Sequence, residues 1–189
     1  MGGTRISHVI GFDDAPFERD ARGDVPVVGA VFAGHRLEGV LSGKVRRDGA
    51  NATRVIAEVV ARSRFASHLQ LVMLQGIAFA GFNVVDIHAL REALEVPVLV
   101  VMRRRPDMGA IRRALLGRIR GGARKWRLIE RAGPIEPADK VFVQRAGIDH
   151  AHAVRVVKRF AVNSDLPEPL RTAHLIAGGV GTGESRHRA

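Results

Sequence analysis

The feature that most limits the fold is a three-residue link. Residues 25–33 (VPVVGAVFA) and 37–45 (LEGVLSGKV) are apolar, β-branched runs joined only by Gly34-His35-Arg36. A connection this short joins two strands only as antiparallel neighbours. The next apolar runs are spaced differently. Residues 69–74 (LQLVML) and 96–102 (VPVLVVM) enclose a longer stretch, within which 84–94 has the spacing of an amphipathic helix. A strand–helix–strand order favours parallel pairing through a right-handed crossover. One sheet with both kinds of pairing is expected.

The remaining elements fit around that sheet. Residues 7–12 (SHVIGF) read as a first strand running into Asp13-Asp14. Asp48-Gly49 is turn chemistry, after which Asn51 is placed to cap a helix over 51–64 with Val55, Ile56, Val59 and Val60 on one face. A basic helix is expected over 108–120, closed by Gly121-Gly122, then a strand over 140–145 and helices over 150–160 and 169–177. A glycine-rich tail (GGVGTGESRHRA) is expected from about residue 178 of a single domain covering 1–189. Three strands, a helix, then alternating strands and helices is the order of the ribonuclease H-like fold, an α/β mixed sheet flanked by helices. The pattern by itself also admits other mixed α/β folds.

Charge points to the partner. From Arg103 to Arg127 there are ten basic residues and one acid, against 20 basic and 18 acidic residues elsewhere, so most of the net +11 sits in one segment. Arg103, Arg104, Arg105, Arg112, Arg113, Arg120, Arg124 and Lys125 are the candidate nucleic-acid contacts, with Arg118 and Arg127 beside them. Arginine's planar fork suits bidentate phosphate binding. Trp126 is the only aromatic residue in the stretch, which argues against a base-stacking platform. DNA is the expected partner, with RNA as the other polyanion; a solvated helix face is the plainer alternative. The absence of cysteine excludes thiolate metal sites and cysteine nucleophiles. No apolar run reaches the about 18 residues of a membrane span. Together with an N-terminus lacking a signal-peptide core, this leads us to expect a cytoplasmic protein with no membrane partner.

The candidate chemistry lies in the acids. Asp13 and Asp14 follow an apolar strand, where carboxylates reach the rim of a sheet and can hold a hard cation. Asp48 follows the third strand, and Glu58 lies on the first long helix. Several acids converging on one rim would suit Mg²⁺ or Mn²⁺ and metal-assisted phosphodiester hydrolysis. The plainer readings are a turn residue for Asp48 and a solvated position for Glu58. His174, three residues after Arg171 on one helical face, is a further candidate, a core or capping role being the alternative. GGVGTGES lacks the Gly-Lys-Ser/Thr of a phosphate loop.

Four stretches carry a resemblance: IGFDDAPF at 10–17, GIAFAGFNVVDI at 76–87, VPVLVVMRRRPD at 96–107 and PEPLRTAHLIA at 167–177. Together they resemble a largely archaeal family known as domain-of-unknown-function family 99 or uncharacterised protein family 0215, endonuclease dU-like and related to endonuclease V. The resemblance covers the chain from about residue 10 to 188. It implies a ribonuclease H-like fold and a metal-dependent endonuclease acting at deaminated bases such as deoxyuridine, in DNA repair. Carried over by residue, its first-strand acid matches Asp13 or Asp14, Asp48 falls in its Val-Asp-Gly motif, and His174 is the nearest match to a late polar residue near the site. With Glu58 as a further helix acid, Asp13, Asp14, Asp48, Glu58 and His174 are the candidate catalytic residues, and Asp13, Asp14 and Asp48 the candidate metal ligands. Two departures stand out. Asn51 occupies the place of the second acid in a Val-Asp-Gly-x-Asp-Ala-Thr-like motif, and Gln75 stands where the family has Leu-Asp-Gly. Both expected acids are amides here, so a nucleic-acid-binding homologue with weakened or lost catalysis is the alternative.

Overall fold

The computed structural model describes residues 5–18 and 23–185. The first strand, β1 (His8–Asp14), lies inside a seven-stranded sheet, third from one edge. The three-residue link makes β2 (Asp24–Ala33) and β3 (Arg36–Arg46) an antiparallel hairpin, and β2 also pairs antiparallel with β1. On the other side of β1, β4 (Leu71–Gln75) and then β7 (Val98–Met102) run parallel to it. Two antiparallel strands, β9 (Val141–Ala146) and β8 (Glu136–Ala138), complete the order β3-β2-β1-β4-β7-β9-β8. This is the mixed ribonuclease H-like sheet that the order of elements predicted.

Helices cover both faces. Helices α1 (Ala52–Ala61) and α2 (Ile87–Leu94) bury Ile56, Val60, Ile87 and Leu90 against Ile10, Phe12, Val72 and Leu74. Helices α5 (His150–Phe160) and α6 (Glu168–Thr182) bury Val156, Phe160, Leu170 and Ala173 against Val9, Leu71, Met73 and Val101. Alternation along each strand sets this division: even positions of β1 and β4 face α1 and α2, odd positions face α5 and α6. A smaller cluster, with Leu115 and Ile129 over Val84, lies under a pair of helices, α3 (Met108–Arg118) and α4 (Gly122–Arg131). The two meet at Gly122, where a Cβ would lie 1.7 Å from the Leu115 carbonyl oxygen, so only glycine fits.

Several expectations are corrected. Helix α4 falls where only a glycine stop was expected. Residues 84–86 are not helical, because β6 (Asn83–Val84) pairs with β5 (Ala78–Phe79) in a separate hairpin and α2 starts after Asp86. The Asp86 side chain accepts from the Ala89 N–H and caps that helix. Asn51 occupies the N-cap position of α1 without capping it through its side chain. The glycine-rich tail expected from about 178 is helical through Thr182, packed against β1 and β2; its last four residues, 186–189, lie outside the described residues. Among the described residues no helix is long and apolar enough to cross a membrane.

Candidate active site at the ends of three parallel strands

Since β1, β4 and β7 are parallel, their carboxyl ends share one rim. Asp13-Asp14, Gln75 and Arg103–Arg105 emerge there. The two aspartates end the strand with different further partners, although their carboxylates stay within hydrogen-bond reach of each other. Asp13 continues the odd-numbered face, under α6. It is 5% exposed, and its Oδ2 lies 2.7 Å from Nδ1 of His174.

One close approach fixes that contact. A Cβ on Gly11 would lie 2.4 Å from the Pro169 carbonyl carbon, so α6 rests directly on β1 at Gly11. Two residues along a strand advance about 6.6 Å, and four along a helix about 6 Å. His174, four residues after Leu170, therefore comes level with Asp13, two after Gly11.

Gln75 lies on the same face. Phe12 pairs with Leu74, so Asp13 and Gln75 stand side by side on strands roughly 5 Å apart. Gln75 Oε1 is buried and has no hydrogen-bond partner among the described residues. An unpaired buried acceptor costs about 1–3 kcal/mol. It marks a place where a donor or a cation fits.

Asp14 belongs to the other face. Its Oδ2 accepts from the Ala80 N–H at 2.7 Å. Burial, with the charge of Asp13 beside it, pushes its carboxyl up to about 6, against the pull of the Ala80 N–H. Ala80 holds a left-handed φ of 46° in the β5–β6 turn. In that conformation its carbonyl accepts from the Asp48 N–H at 2.9 Å while its own N–H serves Asp14. The Asp48 Oδ1 accepts from the Phe82 N–H at 2.8 Å.

The motif RRDGANAT (46–53) and the stretch FNVVD (82–86) are laced together by these and further bonds. Asn83, fully buried, accepts from the Ala52 N–H and donates to the Arg46 carbonyl and to Asn51 Oδ1. Thr53 Oγ1 accepts from the Asp86 N–H. Asn83 thus caps the helix that Asn51 was expected to cap. Ala80 and Asn83 are site residues that reading the sequence missed. The one signal was a polar residue inside the apolar run 82–85.

The predicted site residues therefore divide into two groups. Asp13, Gln75 and His174 come together under α6. Asp14, whose carboxylate is also within hydrogen-bond reach of Asp13, is linked to Asp48 through Ala80. Glu58 faces the cleft that Asp48 also lines and is paired with Arg54 at 2.8 Å and Arg62 at 3.9 Å. Among the described residues no three His, Asp or Glu side chains are placed to hold one metal ion. Of the expected ligands, Asp13 and Asp14 interact directly with each other, and Asp48 is joined to Asp14 through the backbone of Ala80.

Of the predicted nucleic-acid contacts, Arg103, Arg104, Arg105, Arg112, Arg113, Arg120 and Arg124 are exposed. Lys125 is not. It is buried, and its ammonium donates to the Asp48 carbonyl, which ties α4 to the β3–α1 turn. Burial pulls its pKa down, against the attraction of Asp48.

The model of the family described as endonuclease dU matches residues 5–181. A protein of uncharacterised protein family 0215 from Deinococcus radiodurans is 59% identical over 181 residues, covering 96% of this chain and 92% of its own. A member from Methanothermobacter thermautotrophicus is 47% identical, covering 96% and 91%. Among solved structures, a protein of unknown function from Archaeoglobus fulgidus matches with a TM-score of 0.87 at 33% identity, over 94% of this chain and 99% of that one. Endonuclease V from Bacillus subtilis matches with a TM-score of 0.59 at 14% identity, over 91% and 79%. Endonuclease V from Ciona intestinalis, solved with a 24mer DNA containing an inosine followed by a ribo-adenosine, matches with a TM-score of 0.56 at 13% identity, over 90% and 83%. The two endonuclease V likenesses are likenesses of fold. The family match and the identities along nearly the whole chain decide its kinship: it belongs to the endonuclease dU family, a nuclease-type family on an endonuclease V-like fold.

Proposed function

We propose that the chain is a metal-dependent endonuclease that cuts DNA at deaminated bases such as deoxyuridine. The observation that carries this reading is the Asp13–His174 pair beside the orphaned Gln75 Oε1 at the ends of β1 and β4. The donor set fits a hard cation. Mg²⁺ commonly takes one or two carboxylates and completes its shell with water and substrate phosphate. Asp13 and Gln75 would hold it. When bound, Mg²⁺ or Mn²⁺ makes a water nucleophilic and offsets phosphate charge.

The chain's own residues do the rest. Asp13 fixes the His174 ring through Nδ1, and Nε2 has no hydrogen-bond partner among the described residues. That nitrogen is the one free to exchange a proton with a phosphodiester oxygen. Arg103–Arg105 stand at the same rim and supply positive charge where the backbone would lie. A base acted on inside a duplex has to leave the stack, which a deaminated, mispaired base does at least cost.

The test is nicking of duplex DNA containing deoxyuridine or deoxyinosine, with Mg²⁺, Mn²⁺ or neither. Metal-dependent nicking that is lost in Asp13→Asn is expected, with Gln75→Asp at least as active as the parent. No nicking under either metal, with Gln75→Asp also inert, would overturn the proposal. The second reading, a DNA-binding homologue without catalysis, rests on Gln75 and Asn51 standing in place of acids. It predicts metal-independent binding that weakens steeply with salt, and no cleavage.

A further inference from the structure

On the face opposite His174, a cleft of about 880 Å³ opens between α1, α2, α4 and the β3–α1 turn. Its apolar lining is Ala57, Val84, Ala89, Ala93 and Leu128, and Arg46, Arg47, Arg54, Arg120 and Arg124 also line it. Three acids share it, and each is already engaged. Asp48 is bound by the Phe82 N–H and lies 3.7 Å from Arg47, Glu58 is held by Arg54, and Asp86 is paired with Arg131. Arg46, Arg120 and Arg124, by contrast, are exposed and have no carboxylate partner among the described residues. The cleft is therefore cationic in effect and apolar within. No aromatic ring lines it, so it offers no stacking platform for bases.

We infer that this cleft holds the backbone of an unpaired DNA strand next to the cut, through its phosphates and independently of sequence. Sugars and bases rest on the small apolar side chains, and Arg46, Arg120 and Arg124 take phosphates. The position suits a strand leaving the rim. The Asp48 turn in the cleft is joined to Asp14, next to Asp13, by the two hydrogen bonds of Ala80. The inference rests on the nuclease reading for the source of the strand, but the binding itself does not depend on cleavage.

The experiment measures the Kd of a fluorescent single-stranded oligonucleotide, without metal, across a salt series. It compares the parent with a triple variant, Arg46→Ala/Arg120→Ala/Arg124→Ala. Each lost phosphate contact lowers the salt slope of single-strand binding by about 0.7, so the triple variant's slope falls by about 2 and its affinity drops at least about tenfold at low salt. A control triple variant, Arg36→Ala/Arg64→Ala/Arg155→Ala, removes the same charge outside the cleft and keeps the parent's slope. Circular dichroism and thermal melting confirm that both variants fold. An unchanged slope in the cleft variant, or an equal loss in the control, overturns the inference. Inorganic phosphate is titrated as a competitor: millimolar phosphate leaves the oligonucleotide bound if the site is built for a strand. Displacement at that concentration shows a simple anion site and overturns the strand assignment. Oligonucleotide binding without any nicking activity would leave the cleft standing and remove the nuclease reading.

Discussion

Replacing Gly11 by alanine puts the packing of α6 on β1 to a direct test. The added methyl would lie 2.4 Å from the Pro169 carbonyl carbon and 2.6 Å from both the Leu170 nitrogen and the Pro169 oxygen. All three are backbone atoms, so no side chain can rotate out of the way. Ordinary carbon contacts lie near 3.5 Å, so α6 has to lift by about 1 Å. The His174–Asp13 bond, 2.7 Å in the parent, then opens to a separation that is no longer a hydrogen bond. Overpacking costs about 1–3 kcal/mol and the lost bond about 1 more. A net loss near 3 kcal/mol lowers the melting temperature of a chain this size by roughly 6–12 °C. Differential scanning calorimetry gives the stability, and single-turnover nicking of deoxyuridine duplex gives the chemistry; both should fall together. Gly117→Ala is the control, since a Cβ there meets nothing within 4 Å. In an exposed helix it should be neutral or stabilising by up to about 1 kcal/mol. A Gly11→Ala protein melting within a degree of the parent would refute this account of how His174 reaches Asp13.

Three further outcomes are expected. Asp14 is pushed up to about 6 by burial and by Asp13, above its ordinary value of 3.8. Below about pH 4 it is protonated in both states. Between there and pH 6 the folded chain keeps a proton that the unfolded chain releases, so this group's contribution to stability falls as pH rises. Asp14→Asn, which keeps an acceptor for Ala80, should therefore gain stability over the parent at pH 8, by about 1–3 kcal/mol, and lose that advantage near pH 4 in urea titrations. Lys125→Met removes the buried donor to the Asp48 carbonyl and should cost about 1–3 kcal/mol by the same measurement. Mg²⁺ or Mn²⁺ in excess should raise the melting temperature of the parent and raise that of Asp13→Asn by much less, since binding to the folded state stabilises it by mass action. An equal rise in both would show that Asp13 is not a ligand.

The sheet was legible because its signals are local. The three-residue link between β2 and β3 and the buried runs of β4 and β7 each limit pairing by length and hydrophobicity alone. Helix α5 was bounded correctly at both ends, with Asp149 accepting from the His152 N–H as its cap. What was missed depends on contacts between distant segments. Val84 was read as the start of a helix over 84–94, and only its pairing with Ala78 across the Ala80–Gly81 turn makes it part of a hairpin. Residues 178–182 look like a tail because three glycines, a lone valine and a threonine give no apolar stripe, yet they continue α6, which packs against β1 and β2. Lys125 was counted with the surface arginines because sequence alone does not show that α4 turns it inward to Asp48. The site was legible by residue type and not by face. Asp13 meets His174 because of where α6 crosses β1, and Asp14 reaches Asp48 only because of the β5–β6 turn.

Those two contacts explain why one Asp-Asp pair serves two structures. The two carboxylates stay within reach of each other, yet each has its own further partners. Asp13 takes His174 and the orphaned amide oxygen of Gln75 as its surroundings. Asp14 takes the Ala80 N–H, and through Ala80 reaches Asp48 and then Lys125 on α4. The arginine-bearing helix, 111 residues further along the chain than Asp14 at Lys125, is thus connected to the β1 rim by a short run of hydrogen bonds. Backbone groups supply two of the links, so side-chain changes at Ala80 leave the route intact provided that its left-handed φ survives. A glycine at position 80 adopts that φ freely, whereas valine does not, because β-branched residues are outliers there. The bonds to Asp14 and Asp48 hold Ala80 in its left-handed φ, the conformation that lets a single residue serve both aspartates.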